Sequence, residues 1–211
     1  KVYGKPLVYL DNGATAQKPQ CVLDAYDNVY RRVNANIPRG VHHLSNVCTE
    51  LYEDARRAVA RHLGAADAAE VVFTRNTTEA INLVAYAFGD KFVGKGDEVV
   101  VTVMEHHSDI VPWQLLCARR GATLRVVDVD EDGNLRLDQL AQLLSARTRL
   151  VCVTHVSNVM GTVNDTRKVA DMAHSVGAAV LVDGAQSVPH MRVNVAEMGC
   201  DFLAFSGHKV Y

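Results

Sequence analysis

The chain has 211 residues, enough to bury one sizeable core, and its 48% hydrophobic and 22% charged residues are ordinary for a globular domain. A formal charge of −2, with no block of Lys or Arg, excludes the broad basic surface that nucleic acids or anionic membranes require. No apolar run reaches the ~18 residues of a membrane span, and five scattered cysteines without a C-x-x-C fit neither a disulfide framework nor a zinc site, so a reducing cytoplasm is expected.

Residues 1–70 and 71–211 read as two parts. The first is an N-terminal arm with two amphipathic helices, Pro19 to Val33 and Thr49 to Leu63, joined by a stretch containing Pro38, Gly40, His42 and His43. The second alternates short apolar runs with helical patterns. The runs are Glu70 to Phe73, Glu98 to Thr102, Thr123 to Val127, Leu150 to Val156, Ala178 to Val182 and Phe202 to Phe205. Thr78 to Phe88, Asp109 to Arg119, Leu137 to Leu144 and Asp165 to Ser175 carry the helical period, and Asp130 to Asn134 is a turn. This order predicts an α/β fold, a mostly parallel sheet flanked by helices, with strands rich in Val and buried on both faces.

In open α/β sheets ligands gather beyond the carboxyl ends of the strands, where helix N-termini offer free N–H groups to phosphate. After Phe73 comes Thr74-Arg75-Asn76-Thr77-Thr78-Glu79, whose hydroxyls and N–H groups make either a phosphate cradle or an ordinary N-cap. Glu105-His106-His107-Ser108 brings two imidazoles beyond the next strand, to stack on a ring, move protons near neutral pH, ligate a metal or meet solvent. Asn158 supplies an amide for a phenolate or carboxylate oxygen, although asparagine is also common in turns. Asp183 ends a continuous apolar run, so its carboxylate either caps a helix or faces a cation. A protonated pyridine nitrogen is such a cation. Lys209, in Ser206-Gly207-His208-Lys209, adds an amine able to carry an aldehyde as a Schiff base, and the two together suit pyridoxal phosphate. Gln186 then reaches toward the ring hydroxyl, while Ser206 and His208 bind phosphate or orient the lysine. Taken alone, those last four residues would read as a polar surface turn. A dinucleotide fold is disfavoured, because no strand is followed by G-x-G-x-x-G.

The segments Tyr9-Leu10-Asp11-Asn12-Gly13-Ala14-Thr15-Ala16-Gln17-Lys18-Pro19, Arg75-Asn76-Thr77-Thr78-Glu79, Glu105-His106-His107, Thr154-His155-Val156-Ser157-Asn158-Val159, Val182-Asp183-Gly184-Ala185-Gln186 and Ser206-Gly207-His208-Lys209, in this order, closely resemble the class V aminotransferase family. Within it the resemblance is to cysteine desulfurases of the sulfur-mobilisation (Suf) type, and it covers nearly the whole chain. It implies the large domain of a fold-type I pyridoxal 5′-phosphate enzyme, normally a homodimer. Such an enzyme takes sulfur from L-cysteine, leaving L-alanine and a persulfide that a sulfur-acceptor protein receives for iron–sulfur cluster assembly. Residue by residue, the resemblance makes Lys209 the cofactor-bonding lysine and His106 the ring-stacking histidine. It makes Asp183 the partner of the pyridine nitrogen and Gln186 a contact of the ring hydroxyl. Thr78, Ser206 and His208 become phosphate ligands with Thr77 their neighbour, and Asn158 helps hold the substrate carboxylate. No metal is implied.

Two departures accompany it. Where Suf-type members are expected to carry a histidine before an Arg-Gly pair, Ile37-Pro38-Arg39-Gly40 carries Pro38. The family's persulfide-forming cysteine and main carboxylate-binding arginine belong to a C-terminal half, so the chain is expected to be the cofactor-binding half of a longer enzyme and inactive by itself. Its own cysteines, Cys21, Cys48, Cys117, Cys152 and Cys200, read as buried small hydrophobes. Selenocysteine lyases, epimerases and transaminases of the same family share the lysine and aspartate, and a non-catalytic assembly module is the alternative from another class.

Overall fold

A computed structural model describes residues 1–38 and 40–211; Arg39, which follows the unexpected Pro38, lies outside the described residues. Five strands, β1 (Glu98–Thr102), β2 (Thr123–Val127), β3 (Thr148–Thr154), β4 (Ala179–Asp183) and β5 (Phe202–Ala204), pair in parallel in the order β2-β1-β3-β4-β5. Each falls within about two residues of an expected apolar run. Parallel neighbours must be joined by crossovers. Four helices supply them, α5 (Val111–Arg120), α6 (Leu137–Leu143), α7 (Thr166–Ser175) and α8 (Val195–Met198), while α1 (Gln20–Asn28), α2 (His43–Leu63), α3 (Thr77–Val84) and α4 (Asp90–Phe92) precede β1 in the chain.

Successive side chains of a strand point to opposite faces, which divides the core in two. Val99, Val101, Leu150, Cys152 and Leu181 pack against Ile81 of α3 and Trp113 and Leu116 of α5. On the other face Val100, Val151, Val153, Val180 and Val182 meet Leu140 of α6, Val169 and Ala173 of α7, and Leu63 at the end of α2. Helices therefore cover both faces, and polar groups are left to gather at the strand ends.

Four expectations need correction. The run Glu70 to Phe73 does not join the sheet: Ala68–Glu70 is a 3-10 turn, and Val71 to Phe73 continues extended and unpaired, with Val72 and Phe73 exposed. Its composition suits a strand, but it makes no strand pairing among the described residues, although Val71 and Val72 lie near Leu203 of the edge strand β5. Nor is every strand buried on both sides, since β2 is an edge and leaves Thr123 and Val126 exposed. The second helix begins at His43, ahead of Thr49, because the His42 ring accepts the Ser45 N–H at 3.3 Å and serves as its cap. Cys21 is exposed rather than buried, on a helix that buries none of its residues, whereas Cys48, Cys117 and Cys152 are buried and Cys200 partly so.

Candidate functional site

The chain leaves β1 toward β2 on one side and leaves β3 toward β4 on the other, so a crevice opens at the carboxyl ends where the direction reverses. A cavity of about 890 Å³ occupies that edge. Every residue expected to form a site lines it, whereas His107 does not.

The floor comes from β4. Asp183, its last residue, is 4% exposed, and its Oδ1 accepts the Ala185 N–H at 2.8 Å, the only side-chain hydrogen bond it makes among the described residues. Burial pushes this carboxyl upward. The Ala185 N–H and the positive charges of Lys209 and His106 oppose that shift without cancelling it. A buried carboxylate only partly compensated is a place for a further cation. Lys209 lies half-buried in a 3-10 turn, Gly207–Lys209, just beyond β5, and its Nζ makes no hydrogen bond among the described residues.

One wall is the N-terminus of α3. Asn76 caps it, its Oδ1 accepting the Glu79 N–H at 2.9 Å, so neither threonine serves as the cap. Thr77 is instead bonded across the sheet end: Ser206 Oγ accepts the Thr77 N–H at 2.8 Å and meets Thr77 Oγ1 at 2.6 Å. Thr78 is exposed at the cavity, in the first turn where backbone N–H groups lack helical partners. Both atoms of Thr77 depend on one buried hydroxyl. Ser206→Ala should therefore lower unfolding stability by about 1–3 kcal/mol, read from denaturant unfolding, because it orphans a buried N–H and a buried O–H together.

Opposite stands the turn after β1. His106 is exposed and lines the cavity, and its Nδ1 accepts the Ser108 N–H at 3.2 Å, which leaves the ring proton of the neutral form on Nε2. Asn158, beyond β3, is exposed at the rim. Nearby His155 is buried with Nδ1 unpartnered, and burial lowers its pKa.

Residues 13–18 pass over this edge, a feature the sequence reading did not assign to the site. Gln186 Nε2 donates to Gly13 O at 2.9 Å, and Lys18 Nζ donates to Ala16 O at 2.7 Å and to His208 O at 3.2 Å. Ala16 N–H also donates to His208 O at 3.0 Å, and His208 Nδ1 lies 3.3 Å from Thr15 Oγ1. Burial, with Lys209 and Lys18 alongside, lowers the His208 pKa. Gln186 and His208 thus hold the arm while lining the cavity. The motif Asp11 to Lys18 was the available signal, but its contacts span more than 170 residues of sequence.

The donor set fits pyridoxal 5′-phosphate. A buried, under-compensated carboxylate suits a protonated ring nitrogen, an unbonded amine suits an aldehyde, and hydroxyls at a helix N-terminus suit a phosphate.

Comparison with known proteins gives the same direction. The model of the family "Aminotransferase class-V" matches residues 8–211. A probable cysteine desulfurase of Mycobacterium leprae is 53% identical over 210 residues, which are 100% of this chain and 34% of that protein. A cysteine desulfurase of an Enterobacter species is 52% identical over 211 residues, covering 100% of this chain and 52% of that one. The apo structure of the cysteine desulfurase from Thermococcus onnurineus superposes with a TM-score of 0.91 at 44% identity, over 96% of this chain and 50% of that chain. The chain thus spans about a third to a half of the length of these curated relatives.

Proposed function

This chain belongs to the class-V aminotransferase family, and from that premise we propose that it is the cofactor-holding part of a pyridoxal 5′-phosphate-dependent cysteine desulfurase of the Suf type. The observation that carries the reading is the meeting of Asp183, Lys209, His106 and the Thr77–Ser206 pair around one cavity at the reversal point of the sheet.

Bound in this cavity, pyridoxal 5′-phosphate supplies an electron sink for negative charge developing at the Cα of an amino acid. The protein's residues do the rest. The Asp183 carboxylate favours a proton on the ring nitrogen by charge. Thr78 and Ser206, with Thr77 holding the hydroxyl in place and His208 close by, receive the phosphate. Lys209 Nζ would hold the cofactor through its aldehyde, and the same amine would be placed to hold or return a proton at the substrate Cα. His106 would stack on the ring and move a proton through Nε2, while Gln186 would contact the ring hydroxyl and Asn158 would donate its amide to the substrate carboxylate.

None of the five cysteines lines the cavity. The thiolate that takes sulfur from L-cysteine, leaving L-alanine, is accordingly proposed to lie in the part of the whole protein corresponding to the relatives' additional length. In the same reading the whole protein is a cytoplasmic homodimer that passes its persulfide sulfur to an acceptor protein for iron–sulfur cluster assembly. Exposed Leu7, Val8, Leu10 and Tyr26 on the arm are in keeping with cover by further protein surface.

The test is production of alanine and sulfide from L-cysteine by the whole protein and by the 211-residue chain, each with its Lys209→Ala variant. Lysine-dependent turnover is expected from the whole protein and none from the chain alone. Turnover of another amino acid in place of cysteine by the whole protein would overturn the substrate assignment.

A further inference from the structure

Beneath the His106 turn lies a pair of acids that the proposed chemistry does not use. Glu105 is 7% exposed and Asp109 fully buried. Each has one oxygen well engaged. Glu105 Oε1 accepts from Thr102 Oγ1 at 2.6 Å and from the Thr154 N–H at 2.8 Å, tying the ends of β1 and β3 together. Asp109 Oδ1 accepts from Trp113 Nε1 at 2.7 Å, and the Asp109 N–H donates to His106 O at 2.7 Å. The other two oxygens, Glu105 Oε2 and Asp109 Oδ2, are buried without any donor. The two side chains stand within hydrogen-bonding reach of each other, and neither is bonded to a cation among the described residues.

We propose that Glu105 and Asp109 share a single proton between Oε2 and Oδ2, and that this acid pair positions the His106 turn while keeping one negative charge, rather than two, beside Asp183. Two buried carboxylates facing each other would repel at close range and leave two acceptors unsatisfied, whereas one proton converts the contact into a charge-assisted hydrogen bond. The surroundings add no compensating cation. Asp183 faces the pair from β4, Cys152 from β3, and His106 is the neighbouring titratable group in the turn itself.

The pH dependence has a definite sign. Burial pushes Glu105 up to about 7, helped by the charge of Asp183, and burial with the adjacent Glu105 pushes Asp109 upward as well. A carboxyl that keeps its proton when folded contributes stability that is present below the ordinary carboxyl range and lost as pH rises through its raised folded value. The pair should therefore make the folded chain less stable between about pH 5 and pH 8, in the window leading up to the raised value of about 7. The bearing on catalysis rests on the cofactor reading, but the shared proton does not, and it is measured without cofactor.

Geometry specifies an unusual variant series. In Asp109→Asn the amide oxygen still accepts from Trp113, and its N–H donates to Glu105 Oε2 in place of the proton. In Glu105→Gln the amide oxygen keeps Thr102 and Thr154, and its N–H donates to Asp109 Oδ2. Each single variant is satisfied. The double variant sets two N–H groups against each other.

The experiment is infrared spectroscopy of the cofactor-free 211-residue chain at pH 7, with melting temperatures of all four proteins from pH 5 to pH 8. A protonated-carboxyl C=O band is expected in the parent and lost in either single variant. Both single variants should melt no lower than the parent at pH 8 and show a smaller fall between pH 5 and pH 8, while the double melts below either. A parent without the band, or a band surviving in both single variants, overturns the proposal, as do melting-temperature changes that simply add in the double. Because the infrared signature needs only the parent and the single variants, the proposal stays decidable even where the double does not fold.

Discussion

Lys209→Ala is expected to abolish the visible absorbance that pyridoxal 5′-phosphate gains on binding to this chain, down to the level given by free cofactor with an unrelated protein. Among lysines, Lys209 is the one lining the cavity. Its Nζ has no hydrogen-bond partner among the described residues, so no hydrogen bond to the protein has to be given up when the neutral amine meets an aldehyde. Lys18, the next lysine along that edge, has its Nζ committed to the carbonyls of Ala16 and His208. Lys18→Ala is thus the informative control: it should loosen the arm over the site without removing the band. The measurement is a titration followed by absorbance, with melting temperatures confirming that both variants fold. A band of equal size in Lys209→Ala would assign the cofactor to surface lysines.

Asp183→Asn should separate electrostatics from folding. In the absence of cofactor the carboxylate is a cost to the folded state, because burial raises its pKa and leaves the charge only partly compensated. By linkage, the stability of its protonated form is present below the ordinary carboxyl range and lost as pH rises through the raised value. An amide keeps the bond from the Ala185 N–H and carries no charge. The variant should therefore melt as high as the parent at pH 8, or higher. Cofactor affinity should move the other way. An opposing charge near an ionisable ring nitrogen is worth about 1–3 pKa units, so binding at pH 8 should weaken by roughly 10- to 1000-fold. Loss of melting temperature with unchanged affinity would make Asp183 a structural carboxylate.

The sheet was legible because its inner strands, β1, β3 and β4, are short Val-rich runs bounded by turns, and double-sided burial leaves that mark on composition. Their carboxyl ends then indicated where His106, Asn158 and Asp183 would gather, since a parallel sheet aligns all such ends on one edge. Pairing was not legible. Val71 to Phe73 has the same local character as a strand, yet whether it pairs depends on which backbone lies alongside, and that is a property of distant residues. Caps outside the usual set escaped notice for a different reason. Histidine is not among the preferred N-caps, so His42 carried no signal although its ring accepts the Ser45 N–H.

Within the site, residue types were readable and partnerships were not. The pairing of Thr77 with Ser206 joins positions 129 apart, and that of Gln186 with Gly13 joins positions 173 apart. Spacing cannot reveal such contacts. Glu105 and Asp109 are four residues apart, but they meet through a turn rather than along a helix, and their burial depends on Thr154 and Trp113 arriving from other elements.

The most direct measurement is borohydride reduction of the chain after incubation with pyridoxal 5′-phosphate, followed by peptide mapping with mass spectrometry. Reduction turns a lysine–pyridoxal linkage into a stable amine, so the modified residue is identified without any assay of turnover. The account predicts one dominant modified peptide, carrying the adduct on Lys209, and its loss in Lys209→Ala with no other peptide taking its place. An adduct spread over Lys1, Lys5, Lys91 and Lys95 in proportion to their exposure, with Lys209 unmodified, would contradict it.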